Sequence, residues 1–320
     1  MEEGKDISIV IPLLNEEESL PELVSRIEQV AVREGWNHEI ILVDDGSTDG
    51  SWKTICRLAG EHPQVRGICF RRNYGKSAAL HCGFRMACGR VVATMDADLQ
   101  DSPEELPGMY RMITEEDYDV VSGWKQNRQD NRLTKNLPSK LYNATARLIT
   151  GIRLHDMNCG IKTYRNDVVK SIEVYGEMHR YIPYLAKNAG FGKIGEKPVH
   201  HQKRKYGKSK FGLERFINGF LDLQSLWFLS TFGKKPMHFF GYGGLLVFFV
   251  GFVMTVWIIA AKLIHQSQGV RFRAVTDQPL FYLALLACVI GVMLFLAGFI
   301  CELISRNSSD RNKYNIKDEL

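Results

Sequence analysis

Asp96 and Asp98, two residues apart, are the side chains in this sequence best equipped for chemistry. They stand in Val91-Val-Ala-Thr-Met-Asp-Ala-Asp-Leu-Gln100, where a strand-like apolar run opens into polar residues. On an extended segment, side chains at this spacing point the same way. Two like charges so close are costly unless a cation joins them. Oxygen ligands select a hard ion, so Asp96, Asp98 and Gln100 are candidate ligands for Mg2+ or Mn2+. Phosphate oxygens and water would complete the octahedron.

Two further polar clusters follow apolar runs. Pro12-Leu-Leu-Asn15-Glu16 forms a turn able to grip a flat base and ribose, although such residues also start helices. Val43-Asp44-Asp45-Gly46-Ser47-Thr48-Asp49 offers acids to a ribose hydroxyl or a base N–H. Ser47 or Asp49 would cap the next helix, and Asp44 and Asp45 are expected to face the crevice.

The elements that must position these groups alternate. Strands are expected at Ile7–Ile11, Glu39–Val43, Val65–Phe70 and Val91–Met95. Helices are expected between them, at Glu16–Arg33, after Gly50 through Leu58, and at Lys76–Cys88. Such alternation predicts an α/β domain, a mostly parallel sheet with helices on both faces. Ligands of these sheets sit beyond the carboxyl ends of the strands, where all three polar clusters fall. Ser102-Pro103-Glu-Glu105 opens another helix. Asp119–Ser122 and Lys193–Val199 are later strands, Gln126–Leu137 a polar, mobile loop and Leu141–Thr150 a helix.

The chain has 320 residues and a formal net charge of +5. Met237–Ile264 and Pro279–Ile304 are almost uncharged, and each exceeds the ~20 residues that span a bilayer. Lys262 can snorkel, and Tyr242, Trp257 and Tyr282 suit the interface. Phe211–Phe232 is amphipathic and aromatic, as an interfacial helix is. The expected layout is a catalytic domain over 1–210, juxtamembrane helices over 211–235, two spans within 236–305, and a tail over 306–320. Met1–Asp6 is charged and no secretory signal is visible. Lys203–Arg215, Lys234-Lys235 and Arg306–Lys317 carry positive charge on the same expected side. The loop His265–Gln278 also holds Arg271 and Arg273, so the bias is not one-sided, and both termini and the catalytic half are expected in the cytoplasm. The terminal Lys317-Asp-Glu-Leu320 resembles a lumenal retrieval signal, but a cytoplasmic tail cannot present it. The seven cysteines lack any paired metal spacing and read as small core residues. No recognition motif accompanies the basic charge, which excludes nucleic acid as a partner. The Lys203–Lys210 run also suits anionic membrane lipids. Gly241, Gly243, Gly244 and Gly251 permit close helix contact, so a homo-oligomer is expected.

The three acidic clusters, in this order, resemble the GT-A glycosyltransferases of family 2. Arg71-Arg-Asn73-Tyr-Gly75-Lys76, Gln126-Asn-Arg128-Gln-Asp130, His155-Asp156-Met-Asn-Cys-Gly160 and the run Val199–Lys210 resemble its polyprenyl-phosphate subgroup, as do the paired spans. The resemblance implies a Rossmann-like GT-A domain, a nucleotide-sugar donor such as a UDP-hexose, and undecaprenyl phosphate as acceptor. It matches Pro12, Leu14, Glu16, Asp44 or Asp45, and Lys76 to nucleotide contacts. It matches Asp96, Ala97, Asp98 and Gln100 to the diphosphate and metal site, and Asp156 to an acid near the acceptor. Arg204, Ser209 and Lys210 match acceptor- or diphosphate-binding positions. Dolichyl-phosphate mannose synthases carry an Arg just after the strand ending here at Ser122. This chain has Gly123-Trp124-Lys125 instead, so Lys125 or Arg128 would supply the charge for the acceptor phosphate.

A lipid phosphomonoester is already mostly anionic near neutral pH, with a second pKa of about 6, and needs no strong base. The expected chemistry is direct displacement with inversion at the anomeric carbon, with Asp98, Asp156 and Arg204 as the working residues. A processive polysaccharide synthase would need a Gln-x-x-Arg-Trp motif, and Gln224-Ser-Leu-Trp227 lacks the Arg. A scaffold that binds a sugar nucleotide without turning it over would have no use for the intact acids.

Overall fold

The computed structural model describes residues 4–125, 147, 150–200, 202, 224–225, 227–228, 231–232, 235–269 and 273–306. The expected acceptor residues Arg128, Arg204, Ser209 and Lys210 lie outside them, as do the 126–137 segment, most of 211–235 and the tail beyond Arg306. The chain divides into two compact units, Met1–Gln224 and Ser225–Leu320.

The first unit opens with β1 (Ile7–Leu13), α1 (Leu20–Glu34), β2 (His38–Asp44) and α2 (Ser51–Glu61). β3 (Val65–Cys69), α3 (Lys76–Met86) and β4 (Val91–Thr94) follow. Every residue of β1, β2 and β4 is buried. Strands covered on both faces read as continuous apolar runs, which is why they were legible. Ile7, Ile9 and Ile11 join α1 and α2 in one core cluster, whereas Val10, on the other face, meets Gly83 of α3. Side chains alternate along a strand, so helices cover both faces of the sheet.

After a 3-10 turn at Pro103–Glu105 come α4 (Leu106–Thr114), β5 (Val120–Lys125), β6 (Lys162–Arg165), α5 (Asn166–Ser171), α6 (Ile182–Asn188) and β7 (Ile194–Val199). The seven strands lie in the order β3-β2-β1-β4-β6-β5-β7. β6 is antiparallel to both neighbours, and the other pairings are parallel. The carboxyl ends of β1, β2, β4 and β5 and the amino end of β6 therefore share one edge. Residue pairs Leu13–Asp44 and Thr94–Lys162 mark it.

The opposite end is pinned by a buried acid. Glu39 Oε1 accepts from Ser8 Oγ at 2.6 Å and Cys88 N at 2.7 Å, and Arg66 lies 3.0 Å from Oε2. Burial pushes the Glu39 carboxyl up, but these donors outweigh it and hold it below its ordinary 4.5. A depressed acid stabilises the fold above its unfolded pKa, and that contribution is lost as pH falls through the folded value. Glu39→Ala is therefore expected to cost about 1–3 kcal/mol at pH 7. The deficit against wild type should shrink as unfolding is measured at successively lower pH below the unfolded value.

The second unit is a helical hairpin of α7 (Pro236–Ser267) and α8 (Pro279–Arg306). Both helices are long and apolar enough to cross a membrane, with only 17% of each apolar window buried. A core helix of a soluble protein would be mostly covered, so the low burial of these two makes them candidate membrane spans. The helices touch backbone to backbone. A methyl at Gly244 would lie 2.7 Å from Gly291 O, and one at Gly251 would lie 2.6 Å from Ala284 O. Of the four glycines expected to favour self-association, Gly244 and Gly251 make their close approach within the chain, whereas nothing lies within 4 Å of a methyl built at Gly243.

Candidate functional site

The rim above β1 and β2 is two loops laced together. Asn15, at φ 58°, accepts from Thr48 N at 2.8 Å through Oδ1, and its own N–H donates to Ser47 Oγ at 2.9 Å. Glu16 N donates to Ser51 Oγ at 2.9 Å, and Gly50 N to Glu17 Oε2 at 2.9 Å. Pro12 is buried in β1, while Leu14 and Glu16 are half-buried on the rim. The residue at the N-cap of α2 is Gly50, but Asp49 serves the helix start as expected: its Oδ1 accepts from Ser51 N, the first amide of α2, at 3.0 Å, while Ser47 Oγ is taken by Asn15 N.

The expectation that Asp44 and Asp45 face an open crevice needs correction. Both are buried. Asp44 Oδ1 accepts from Ser47 N at 2.8 Å. Asp45 accepts from Tyr74 N at 2.7 Å and Gly75 N at 2.9 Å. Acids at the end of a central strand find the amides of adjoining turns before they find a ligand. Asp45 thereby fixes the start of α3, where Lys76 stands.

β4 ends at Thr94, and Ala97 and Asp98 form a turn, with Leu99 at φ 60°. Strand alternation therefore does not orient Asp98, which corrects the extended geometry expected from sequence. Asp98 Oδ1 accepts from Gln100 N at 3.1 Å. Asp96 Oδ1 receives a hydrogen bond from Lys76 Nζ, in an ion pair whose side chains are 34% and 35% exposed. Asp96 Oδ2 lies against Gly160, where a methyl would be 2.5 Å from it and 2.7 Å from Asp101 Oδ2. Gly160 is held there because its carbonyl accepts from Thr94 Oγ1 at 3.2 Å.

Cations surround these acids. Burial opposes ionisation of Asp96, but Lys76, with Lys125 and Lys162, holds its carboxyl well below the usual range. Lys125, expected to reach the acceptor phosphate, instead pairs with buried Asp101 at 2.9 Å and is itself mostly covered. Burial disfavours its charge, yet Asp101 outweighs this and raises the ammonium above its ordinary value. That correction has a plain cause: a cation at the end of β5 meets the nearest buried carboxylate.

Sequence reasoning missed Lys162. It is buried, donates to the Cys159 carbonyl, and faces Asp96, Asp156 and Lys76. Burial is the largest cause lowering its pKa. Cys159 is pushed up to about 12, by burial first and Asp101 second, so it stays a thiol and is no nucleophile at neutral pH. Asp156 is buried, and its Oδ1 accepts from Asn158 N at 3.1 Å. Its neighbour His155 stacks on Trp124 at 4.2 Å, and its N–H donates to Glu196 Oε2 at 2.8 Å. Gln202 N donates to Gln100 O at 2.9 Å, so the chain reaches the acid turn two residues before Arg204.

Among the described residues no three His, Cys, Asp or Glu side chains form a ready metal cage. Asp96 and Asp98 instead suit a hard ion that keeps most of its coordination for phosphate and water.

A profile described as "Glycosyl transferase family 2" matches residues 8–173. Dodecaprenyl-phosphate galacturonate synthase of Rhizobium johnstonii is 34% identical, over 94% of this chain and 88% of that one. Undecaprenyl-phosphate 4-deoxy-4-formamido-L-arabinose transferase of Shewanella sediminis is 37% identical, over 98% and 92%. Among solved structures, mannosyl-3-phosphoglycerate synthase from Rubrobacter xylanophilus aligns with a TM-score of 0.57 at 17% identity, over 71% of this chain and 75% of that one. Glucosyl-3-phosphoglycerate synthase from Mycobacterium tuberculosis, solved with UDP, aligns with a TM-score of 0.54 at 18% identity, over 71% and 80%. The structures speak for the GT-A fold alone. The profile and the two long relatives carry the rest: this chain belongs to glycosyl transferase family 2 and is a glycosyltransferase.

Proposed function

We propose that this chain is a membrane-anchored, inverting transferase that moves a sugar from a nucleoside diphosphate to the phosphate of a polyprenyl lipid. In our reading the donor is a UDP-hexose and the acceptor undecaprenyl phosphate. Both long relatives are named for a polyprenyl phosphate. The observation that carries the reading is the Gln202–Gln100 hydrogen bond, which holds the residue preceding the basic run 203–210 of the sequence against the acid turn. One anion-binding segment then begins beside the group that handles the other anion. The catalytic unit faces the cytoplasm at the bacterial inner membrane, in keeping with the positive charge flanking the spans.

A bound Mg2+ or Mn2+ would act as a Lewis acid on the departing diphosphate. Asp96 and Asp98 would hold it, with Gln100 beside them. Glu16, Leu14 and the laced rim grip the nucleoside, and Lys76 meets the diphosphate. Arg204, Ser209 and Lys210, with Arg128, receive the lipid phosphate as charge-assisted donors. Holding two anions in line supplies up to roughly 7–11 kcal/mol of the barrier. Asp156, buried beside Lys162, orients the acceptor and does not take its proton. Asp156→Asn is accordingly expected to lower kcat by less than about 10²-fold, whereas loss of a true general base would cost about 10²–10⁴-fold.

The test is incubation of the full chain with labelled nucleotide sugars, Mg2+ and undecaprenyl phosphate. Label in the organic phase, lost on chelation, is the expected result. A water-insoluble polymer would make the chain a polysaccharide synthase, and binding without turnover would make it a scaffold.

A further inference from the structure

We infer that Lys76 is an internal stand-in for the metal ion, occupying the Asp96 ligand position until a nucleotide diphosphate draws it away. This deepens the reading above and rests on it. The argument is one of oxygen accounting. Asp96 Oδ2 is turned onto Gly160, where even a methyl group would come within 2.5 Å. Asp96 Oδ1 is held by the Lys76 ammonium. A cation that binds through Oδ1 must therefore displace Lys76. The displaced ammonium needs a new anion, because the neighbouring acids are engaged. Asp45 is bound to Tyr74 N and Gly75 N, and Asp101 is paired with Lys125. Nearby Lys162 repels it further. The incoming diphosphate is the anion that satisfies it. Lys76 is the first residue of α3 and its side chain is about a third exposed, so it can turn from one partner to the other without moving the helix.

Metal and nucleotide then bind as a coupled pair. Each removes the obstacle the other faces, and the coupling is reciprocal by linkage. Lys76 is a positioning residue in this scheme. It keeps the acid turn neutralised when no substrate is present and makes metal retention depend on the donor.

The experiment titrates Mn2+ into the detergent-solubilised full chain, with and without UDP, and reads free Mn2+ by electron paramagnetic resonance. Wild type should bind Mn2+ weakly alone and more tightly with UDP. Lys76→Met should bind Mn2+ about 5–150-fold more tightly in the absence of UDP, the usual range of coupling between sites. It should gain correspondingly less from UDP. Lys76→Arg should keep the wild-type pattern. In an Asp96→Asn background, Lys76→Met should tighten nothing, because the contested oxygen has lost its charge. Unchanged Mn2+ affinity in Lys76→Met, or equal tightening in both backgrounds, overturns this inference alone. Mn2+ that fails to bind wild type even with UDP overturns it together with the metal-dependent function.

Discussion

Gly160→Ala is expected to leave a folded protein whose sugar transfer falls by at least about 10²-fold, the cost of roughly 1 Å of misplacement at a reacting centre. The added methyl would lie 2.5 Å from Asp96 Oδ2 and 2.7 Å from Asp101 Oδ2. Neither carboxylate can retreat freely, since Lys76 holds the first and Lys125 the second. The backbone cannot retreat either, because Thr94 Oγ1 holds the Gly160 carbonyl. The substitution touches no substrate. Overpacking of this kind also costs about 1–3 kcal/mol of stability, so thermal unfolding should shift down while the protein stays folded at room temperature, and Mn2+ affinity should fall in parallel with activity. Full activity in Gly160→Ala would mean that the positions of Asp96 and Asp101 do not matter to the reaction.

Asp98→Asn should lower kcat by about 10²–10³-fold, the usual cost of removing one preorganised electrostatic stabiliser. The amide is nearly isosteric, and its oxygen can still accept from Gln100 N, so the turn at Ala97–Asp98 should survive. What is lost is the negative charge that would hold a divalent cation against the departing diphosphate. Raising Mn2+ should recover part of the activity if affinity is the deficit. Retained activity with EDTA present would remove the metal from the mechanism altogether.

The central parallel strands were legible because strands buried on both faces need uninterrupted apolar residues, as in Ile7–Leu13. β6 was not. Lys162-Thr-Tyr-Arg165 is four residues long, half of them cationic, and its pairing partners are distant in sequence. Missing β6 hid Lys162, which only the antiparallel insertion brings beside Asp96. The acid pairs were found by residue type, but their orientations were not. Asp44 and Asp45 satisfy backbone amides contributed by loops that spacing cannot fold. Lys125 looked free because Asp101, its partner, lies 24 positions earlier in the chain. Gly160 carried a signal of a kind: a glycine four residues after Asp156, inside a quoted motif, marks a close approach, though not to what.

The hairpin has a consequence beyond attachment. α7 has 32 residues and α8 has 28. At about 1.5 Å per residue they are roughly 48 and 42 Å long. A typical hydrocarbon slab is only about 30 Å thick. Because Gly244, Gly251 and Gly291 fuse the two backbones, the helices cannot adjust one at a time. They must lean together or leave end turns standing in the headgroup layer. Thick bilayers should therefore seat the hairpin more upright than thin ones, making acyl-chain length a quantity to which this protein responds.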